Sequence, residues 1–354
     1  MMELMFGAEK ILNRHRGLTF DDVLLTPRHS EISSRKDTSL TSKITKNFSL
    51  DLPIVTANMD TVTEVEMACA MAELGGLGSL HRFVTTEEQV AMVKKIREHH
   101  EAHGLKSPIA ASIGVKEDGK KRGDALVEAG VNIITLDIAH GDSIMMLDVL
   151  DYMKKKHPQV DIIAGNVATA EATTRLINAG ADSIKCGIGP GSMCTTRIIT
   201  GHGVPQLTAI ALCVSAAKEH GIPVIADGGI KNSGDMVKAF CAGASAIMVG
   251  SLVSGTLETP GEVKSGKKAY RGMASKSAQV SWRGDLPKGM AAEGEATMVS
   301  CKGSVKDIMQ ELSGGIRSGM TYLGVEVIEK MAMAGLFMEM TPSGMSESRP
   351  HGVN

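Results

Sequence analysis

Short apolar runs alternate along this chain with stretches of helical periodicity, and the pair recurs at roughly 25–30 residue intervals, the signature of successive strand–helix units. The pattern predicts strands over 53–57, 77–80, 109–113, 132–137, 161–165, 183–186, 223–227 and 246–249. Runs such as VNIITL and VDIIAG are apolar without alternation, as in strands buried on both faces. Eight such units suit a closed parallel sheet, so the expected fold is a TIM (β/α)8 barrel, one domain over 1–354. Several predicted strands end in polar or glycine-rich text: TANMDT, SLHR, LDIAHGDS, AGNVAT, KCGIGPGS, ADGGIK and VGSLVSG. Loops after the strands build the active site of such barrels, so chemistry is expected there. Two regions fall outside the repeat. Residues 98–108 read as a short polar connection between the second and third units, and 270–303 interrupt the eighth unit as a flap.

Composition narrows the class. The 354 residues are 43% hydrophobic and 22% charged, enough for a large core, and a net charge of −2 gives no electrostatic case for nucleic acid. Aromatics at 3% argue against base-stacking platforms. The six cysteines include no CxxC pair and read as reduced thiols. No apolar run approaches the ~18–20 residues of a membrane span. The first residues carry charge throughout, so a cytoplasmic enzyme without a membrane partner is expected.

The densest chemistry lies in KCGIGPGSMCTTRIITGHGVPQ, residues 185–206. Its glycines and proline permit a tight turn that presents backbone N–H and C=O groups. Cys194 sits in that turn beside Thr195, Thr196 and Arg197, where neighbouring donors can favour a thiolate nucleophile. Cys69, Cys213 and Cys241 suit buried structural thiols instead. In ADGGIKNSGD, Asp227 ends a strand and can accept from ribose hydroxyls, with Gly228 and Gly229 allowing close approach. In MVGSLVSG, Gly250 and Ser251 are expected to precede a helix whose amides favour a phosphate. His99, His100 and His103 read as a solvated helix end; a metal site there needs further ligands. The SGK near 265 reads as a hairpin turn, and the 23 methionines as core filling.

GIGPGSMCTTR resembles the catalytic loop shared by IMP dehydrogenases and GMP reductases. The likeness extends through TFDDVLL (19–25), ANMDTVTE (57–64), DIAHG (137–141), AGNVAT (164–169), GVPQLTAI (203–210), ADGGIKNSGD (226–235), YRGM (270–273) and GGIRSGM (314–320). It implies that Cys194 adds to purine C2 as a thioimidate while hydride passes between C2 and a nicotinamide, NADPH or NAD. By the same resemblance, Asn58, Ser192, Asp227, Gly229, Gly250, Ser251, Tyr270, Gly272 and Met273 match nucleotide-binding positions. Asp137, Ala139, His140, Gly141 and Asn166 match the nicotinamide side. The carbonyls of Gly189, Gly191 and Cys194 match a monovalent cation (K+) site, completed by Glu347 and Ser348 of a neighbouring subunit, which implies a homotetramer.

The two activities part at the step after the thioimidate. A dehydrogenase must activate water, and its family uses an Arg-Tyr pair on a long flap; here Trp282-Arg283 is the nearest candidate on a short one. The CBS modules of most dehydrogenases are missing, with residues 98–108 in their place, and Asn58 is the reductase-type residue. A reductase must protonate departing ammonia through a threonine–glutamate pair. Thr196 matches the threonine, and counting onward from Gly272-Met273 puts Lys276 at the glutamate. GVPQLTAI, ADGGIK and SESRPH lean toward the dehydrogenase. The expectation is GMP reductase. The alternatives are IMP dehydrogenase, with Arg283 or Lys276 assisting water, and a catalytically silent nucleotide-binding paralogue.

Overall fold

The computed structural model describes residues 4–285, 289 and 291–350, without the side chains of Glu117 and Arg283. Eight parallel strands close into a barrel: β1 (Ile54–Thr56), β2 (Leu77–Leu80), β3 (Ala110–Ile113), β4 (Ile133–Asp137), β5 (Asp161–Val167), β6 (Ser183–Cys186), β7 (Val224–Asp227) and β8 (Ala246–Val249). Pairing of Ile247 with Ile54 seals β8 to β1. The expected barrel is present, with strand ends within two residues of those read from the sequence. Its helices are α1 (Val65–Glu73), α2 (Thr86–His103), α3 (Glu117–Glu128), α4 (Ile144–Lys156), α5 (Ala170–Asn178), α6 (Gln206–Ala217), α7 (Ser233–Cys241) and α8 (Val305–Leu323).

The period-two alternation of strand side chains sorts each strand into an outward row against the helices and an inward row filling the barrel. Along β4, Ile134 and Leu136 belong to the outer core, whereas Ile133 faces an inner cluster with Val55, Leu77, Ala110, Ile163 and Ile225. One layer up, the Ser79 hydroxyl lies 3.3 Å from those of Ser112 and Thr135. Another layer up, Asp137 and Lys185 each pair with Gly165, and Asp227 ends β7 two residues beyond Ile225. The barrel interior thus runs from apolar through hydroxyl to charged toward its C-terminal mouth. A Cβ on Gly165 would lie 2.6 Å from both Cβ and O of Lys185, so only glycine admits the lysine there.

Two expectations change. Residues 98–103 are not a connection but the end of α2, because the Val93, Ile96 and His100 stripe stays buried; the helix stops at Gly104, in the left-handed region at φ 64°. The segment after Gly250 is a run of turns rather than a helix. Ser254, Thr256 and Thr259 hydroxyls capture the carbonyls of Ser251, Val253 and Thr256, which competes with a helical ladder. The hairpin of strands Lys267–Arg271 and Ala296–Ser300, with the helix Lys276–Arg283 at its tip, lies between β8 and α8. Among the described residues no helix is long and apolar enough to cross a membrane.

Candidate active site

The C-terminal mouth opens into a cavity of about 810 Å³ lined by the loops after β1–β4 and β6, by Asn166, Asp227 and Met248 of β5, β7 and β8, and by the flap. The Cys194 loop enters it from β6. At Gly187, φ is 146° and a Cβ would lie 2.1 Å from the Asp227 carbonyl oxygen, so the chain turns there only without a side chain. Cys194 is half-buried; its Sγ donates to Thr196 Oγ1 at 3.2 Å, and Thr196 Oγ1 donates to Glu293 Oε2 at 2.8 Å. Glu293 comes from the returning limb of the flap and is fixed on both sides. Its N–H donates to Ala274 O at 3.0 Å, and its carbonyl accepts from Thr195 N at 3.1 Å. Thiol, hydroxyl and carboxylate therefore form one continuous proton path.

On the cavity floor the buried Lys185 ammonium donates to Asp137 and Asp227, each at 3.0 Å, and to Asn166 Oδ1. Asn166 Nδ2 in turn donates to Asp227 Oδ2 at 2.9 Å and Gly187 O at 2.7 Å. The β5–β6 register skips Asn166, because Lys185 pairs with Gly165 but Cys186 with Val167. That irregularity turns the asparagine side chain into the site. Burial opposes charge on this lysine, yet Asp227 and Asp137 together push its pKa up. Burial likewise works against the Asp137 carboxylate, but Lys185 and then Arg82 outweigh it and hold its pKa below the usual range.

A second cavity of about 270 Å³ adjoins the first through Ser192 and is lined by Gly229, Lys231 and Ser251. Tyr270 stands beside Ser192, where the two cavities meet, with its phenol oxygen 3.1 Å from Ser192 Oγ. Burial pushes the Tyr270 pKa up, keeping it a neutral donor. Arg271 locks the flap base to Asp60 of the β1 loop, with Nε 3.1 Å from Oδ2. At the flap tip, Trp282 meets Phe83 of the β2 loop edge-on, ring centroids 6.3 Å apart.

The structure thus gathers Asn58, Asp137, Ala139, Asn166, Gly189, Gly191, Ser192, Cys194, Thr196, Asp227, Tyr270, Gly272 and Met273 around one cavity. Gly229 and Ser251 line the second, and Gly250 backs the Tyr270 phenol, 3.2 Å from where a Cβ would sit. His140 and Gly141 line neither; Gly141 N donates to Asn166 O at 2.7 Å and so braces that loop. Glu347 and Ser348 also line neither; they lie at the end of the C-terminal helix Pro342–Glu347, where Ser348 Oγ donates to Gly344 O. Lys276 does not take the place given to it: its side chain is exposed on the first turn of the flap helix, and Glu293 holds the position beside Thr196. The Arg283 side chain lies outside the described residues. Glu293 and Lys185 were missed by the sequence reading. An acidic residue directly before a glycine in AAEGEA was the only signal for the first, and a lysine inside the apolar run of β6 the signal for the second.

Residues 17–351 match the IMP dehydrogenase / GMP reductase domain family. An inosine-5'-monophosphate dehydrogenase of Cryptosporidium parvum is 43% identical over 389 residues, covering 96% of this chain and 96% of that protein. One from Nitrosopumilus maritimus is 36% identical, covering 95% and 98%. Among solved structures, a GMP reductase variant of Trypanosoma brucei in complex with guanosine 5'-monophosphate superposes with a TM-score of 0.89 at 33% identity, covering 98% of this chain and 100% of that one. A barrel whose mouth carries a loop cysteine, a threonine–glutamate pair and two lysine-bridged carboxylates, matched over nearly its whole length, identifies the chain as an NAD(P)-dependent oxidoreductase of the IMP dehydrogenase / GMP reductase family.

Proposed function

We propose that this enzyme is a GMP reductase, converting GMP and NADPH to IMP, ammonia and NADP. The reading rests on the Cys194–Thr196–Glu293 path together with a flap whose sequence from Met273 to Glu293 holds no Arg-Tyr pair to activate water. In the first direction the path drains the thiol proton toward the carboxylate as sulfur attacks purine C2. In the second, the protonated Glu293 returns a proton through Thr196 to the amine leaving C2, so that loss of ammonia leaves the thioimidate on Cys194. The nicotinamide supplies the hydride that C2 accepts as the C–S bond breaks and Cys194 departs. Asp227 accepts from the nucleotide ribose, Ser192, Gly229, Gly250 and Ser251 surround the phosphate, and Tyr270, Gly272, Met273 and Asn58 border the base. Asp137, Ala139 and Asn166 face the dinucleotide. The Gly189, Gly191 and Cys194 carbonyls form a neutral oxygen set suited to a hard monovalent cation such as K+; Gly191 O already accepts from Cys194 N at 3.1 Å, which fixes the turn.

IMP dehydrogenase is the second reading, favoured by the names of the relatives at 43% and 36% identity. A relay that gives a proton to ammonia can also take one from water, so the same three residues serve hydrolysis of the thioimidate. The test follows absorbance at 340 nm in potassium buffer with GMP plus NADPH, and separately with IMP plus NAD. Loss of NADPH with ammonia and IMP appearing is the expected result. Gain of NADH with XMP appearing overturns the reductase for the dehydrogenase. No reaction in either, with no mass adduct on Cys194 from 6-chloro-IMP, leaves a silent nucleotide-binding protein.

A further inference from the structure

At the opposite end of the barrel from Cys194, α1 and α2 stop side by side. Glu73 is the last residue of α1, and His99 and His103 occupy the final turns of α2 four residues apart, hence on one face. His99 Nε2 lies 2.8 Å from Glu73 Oε1, and the two imidazoles stack with centroids 4.1 Å apart and planes 29° from parallel. His103 Nδ1 lies 2.9 Å from the His99 carbonyl oxygen. A carbonyl only accepts, so Nδ1 carries the proton and Nε2 presents a lone pair. Orientation of one ring nitrogen by a backbone carbonyl is how ligating histidines are commonly held. One ligand atom from each of the three side chains lies within 4.8 Å of the others. A tetrahedral ion with bonds near 2.0–2.1 Å wants about 3.3 Å between ligand atoms and both ring planes pointing at it, so binding opens the imidazole stack by rotation of the two side chains on the helix face they share. Both helices also direct their carbonyl ends, and so partial negative charge, toward this corner.

We propose that Glu73, His99 and His103 bind a divalent transition ion of the zinc type through one carboxylate oxygen and two imidazole nitrogens, with water completing the shell. The donor set fits such an ion rather than calcium or magnesium, which take oxygen. The other titratable groups of this corner are His100, turned into the core, the Arg97–Glu101 pair one turn away and Cys69 behind Glu73 on α1. The ion ties α1 to α2 and takes no part in purine chemistry.

The experiment uses full-length, untagged Cys194→Ala/Cys301→Ser protein, which removes the two thiols that are not buried, and zinc chloride in competition with a chromophoric chelator. One zinc per chain at micromolar affinity is expected, together with a rise in Tm. His99→Gln/His103→Gln in the same background should lose at least about tenfold in affinity and the Tm rise. In the Cys194-intact protein the same pair of substitutions should leave nucleotide turnover unchanged, separating this site from the active site. No saturable zinc binding by the parent, or equal affinity in the double variant, overturns the proposal.

Discussion

Thr196 Oγ1 can hold one proton at a time between sulfur and carboxylate, so the chemistry of the site depends on what stands behind it. Glu293→Gln keeps the shape and removes the titrating group. Its kcat should fall ~10²–10⁴-fold with little change in nucleotide KM, while Lys276→Ala should stay near wild type. Steady-state kinetics on both variants check this, and a large Lys276 effect would reverse the assignment. Lys185 makes a different prediction. Removing it as Lys185→Met leaves a buried carboxylate cluster short of its cation, at a cost of about 3–5 kcal/mol seen as a lower Tm. Asp137 has a depressed pKa, so its carboxylate persists above that value and is lost only as pH falls through it. Without Lys185, burial acts on Asp137 against only Arg82 and the hydrogen bond from Asn58, and its pKa rises. As pH is lowered, the KM for the dinucleotide should then begin to climb at a higher pH than in wild type, and Lys185→Arg should restore the wild-type profile. A pH-independent loss would mark Lys185 as structural only.

Elements whose burial is uniform were legible in the sequence. Ile133 to Leu136 of β4 and Ala246–Val249 are hidden on both faces, so their apolar runs alone mark them. The flap's place in the chain was legible, but its internal path was not, because it leaves the barrel and comes back. Counting forward from Met273 reaches Lys276, but the hairpin folds residue 293 onto residue 274 through the Glu293 N–H. Linear spacing cannot see such a return, and the same holds for the strand Phe337–Glu339, which pairs with both Met5–Phe6 and Val23–Leu25. The flap nevertheless carries its own reporter, since Trp282 is the chain's one tryptophan and lines the main cavity beside Phe83. Emission from it should change on adding NADP. Trp282→Phe, which retains an aromatic edge, should disturb dinucleotide KM less than Trp282→Ala, the contact being worth about 0.5–1.5 kcal/mol. Unchanged emission at saturating NADP would mean that the flap helix does not feel the dinucleotide.

At the scale of the whole molecule, the proposed cation site is one whose proposed parts lie apart among the described residues of a single chain. The Gly189–Cys194 carbonyls are in place at the mouth, while Glu347 and Ser348 lie on the C-terminal helix and line no part of that cavity. Apolar side chains also stand in solvent: Ile144 and Ile198, beside the mouth, are 83% and 82% exposed, and Met333, shortly before the C-terminal helix, is 79% exposed. Isolated exposed residues need no explanation, but pairing them with a half-built site argues for a neighbour. The proposed homotetramer should sediment at about four times the 37.3 kDa chain mass. Its consequence for chemistry is sharper than its size. Cys194→Ala tetramers lack the nucleophile, and Glu347→Ala tetramers lack the carboxylate lent across the interface and should show a weakened potassium dependence with low turnover. Unfolded, mixed and refolded together, the two chains should regain activity. A mixed assembly contains sites where an intact Cys194 loop faces an intact Glu347 from its neighbour. Activity that merely averages the two parents would mean that Glu347 serves its own chain or none, and the cation site would have to be completed by other oxygens.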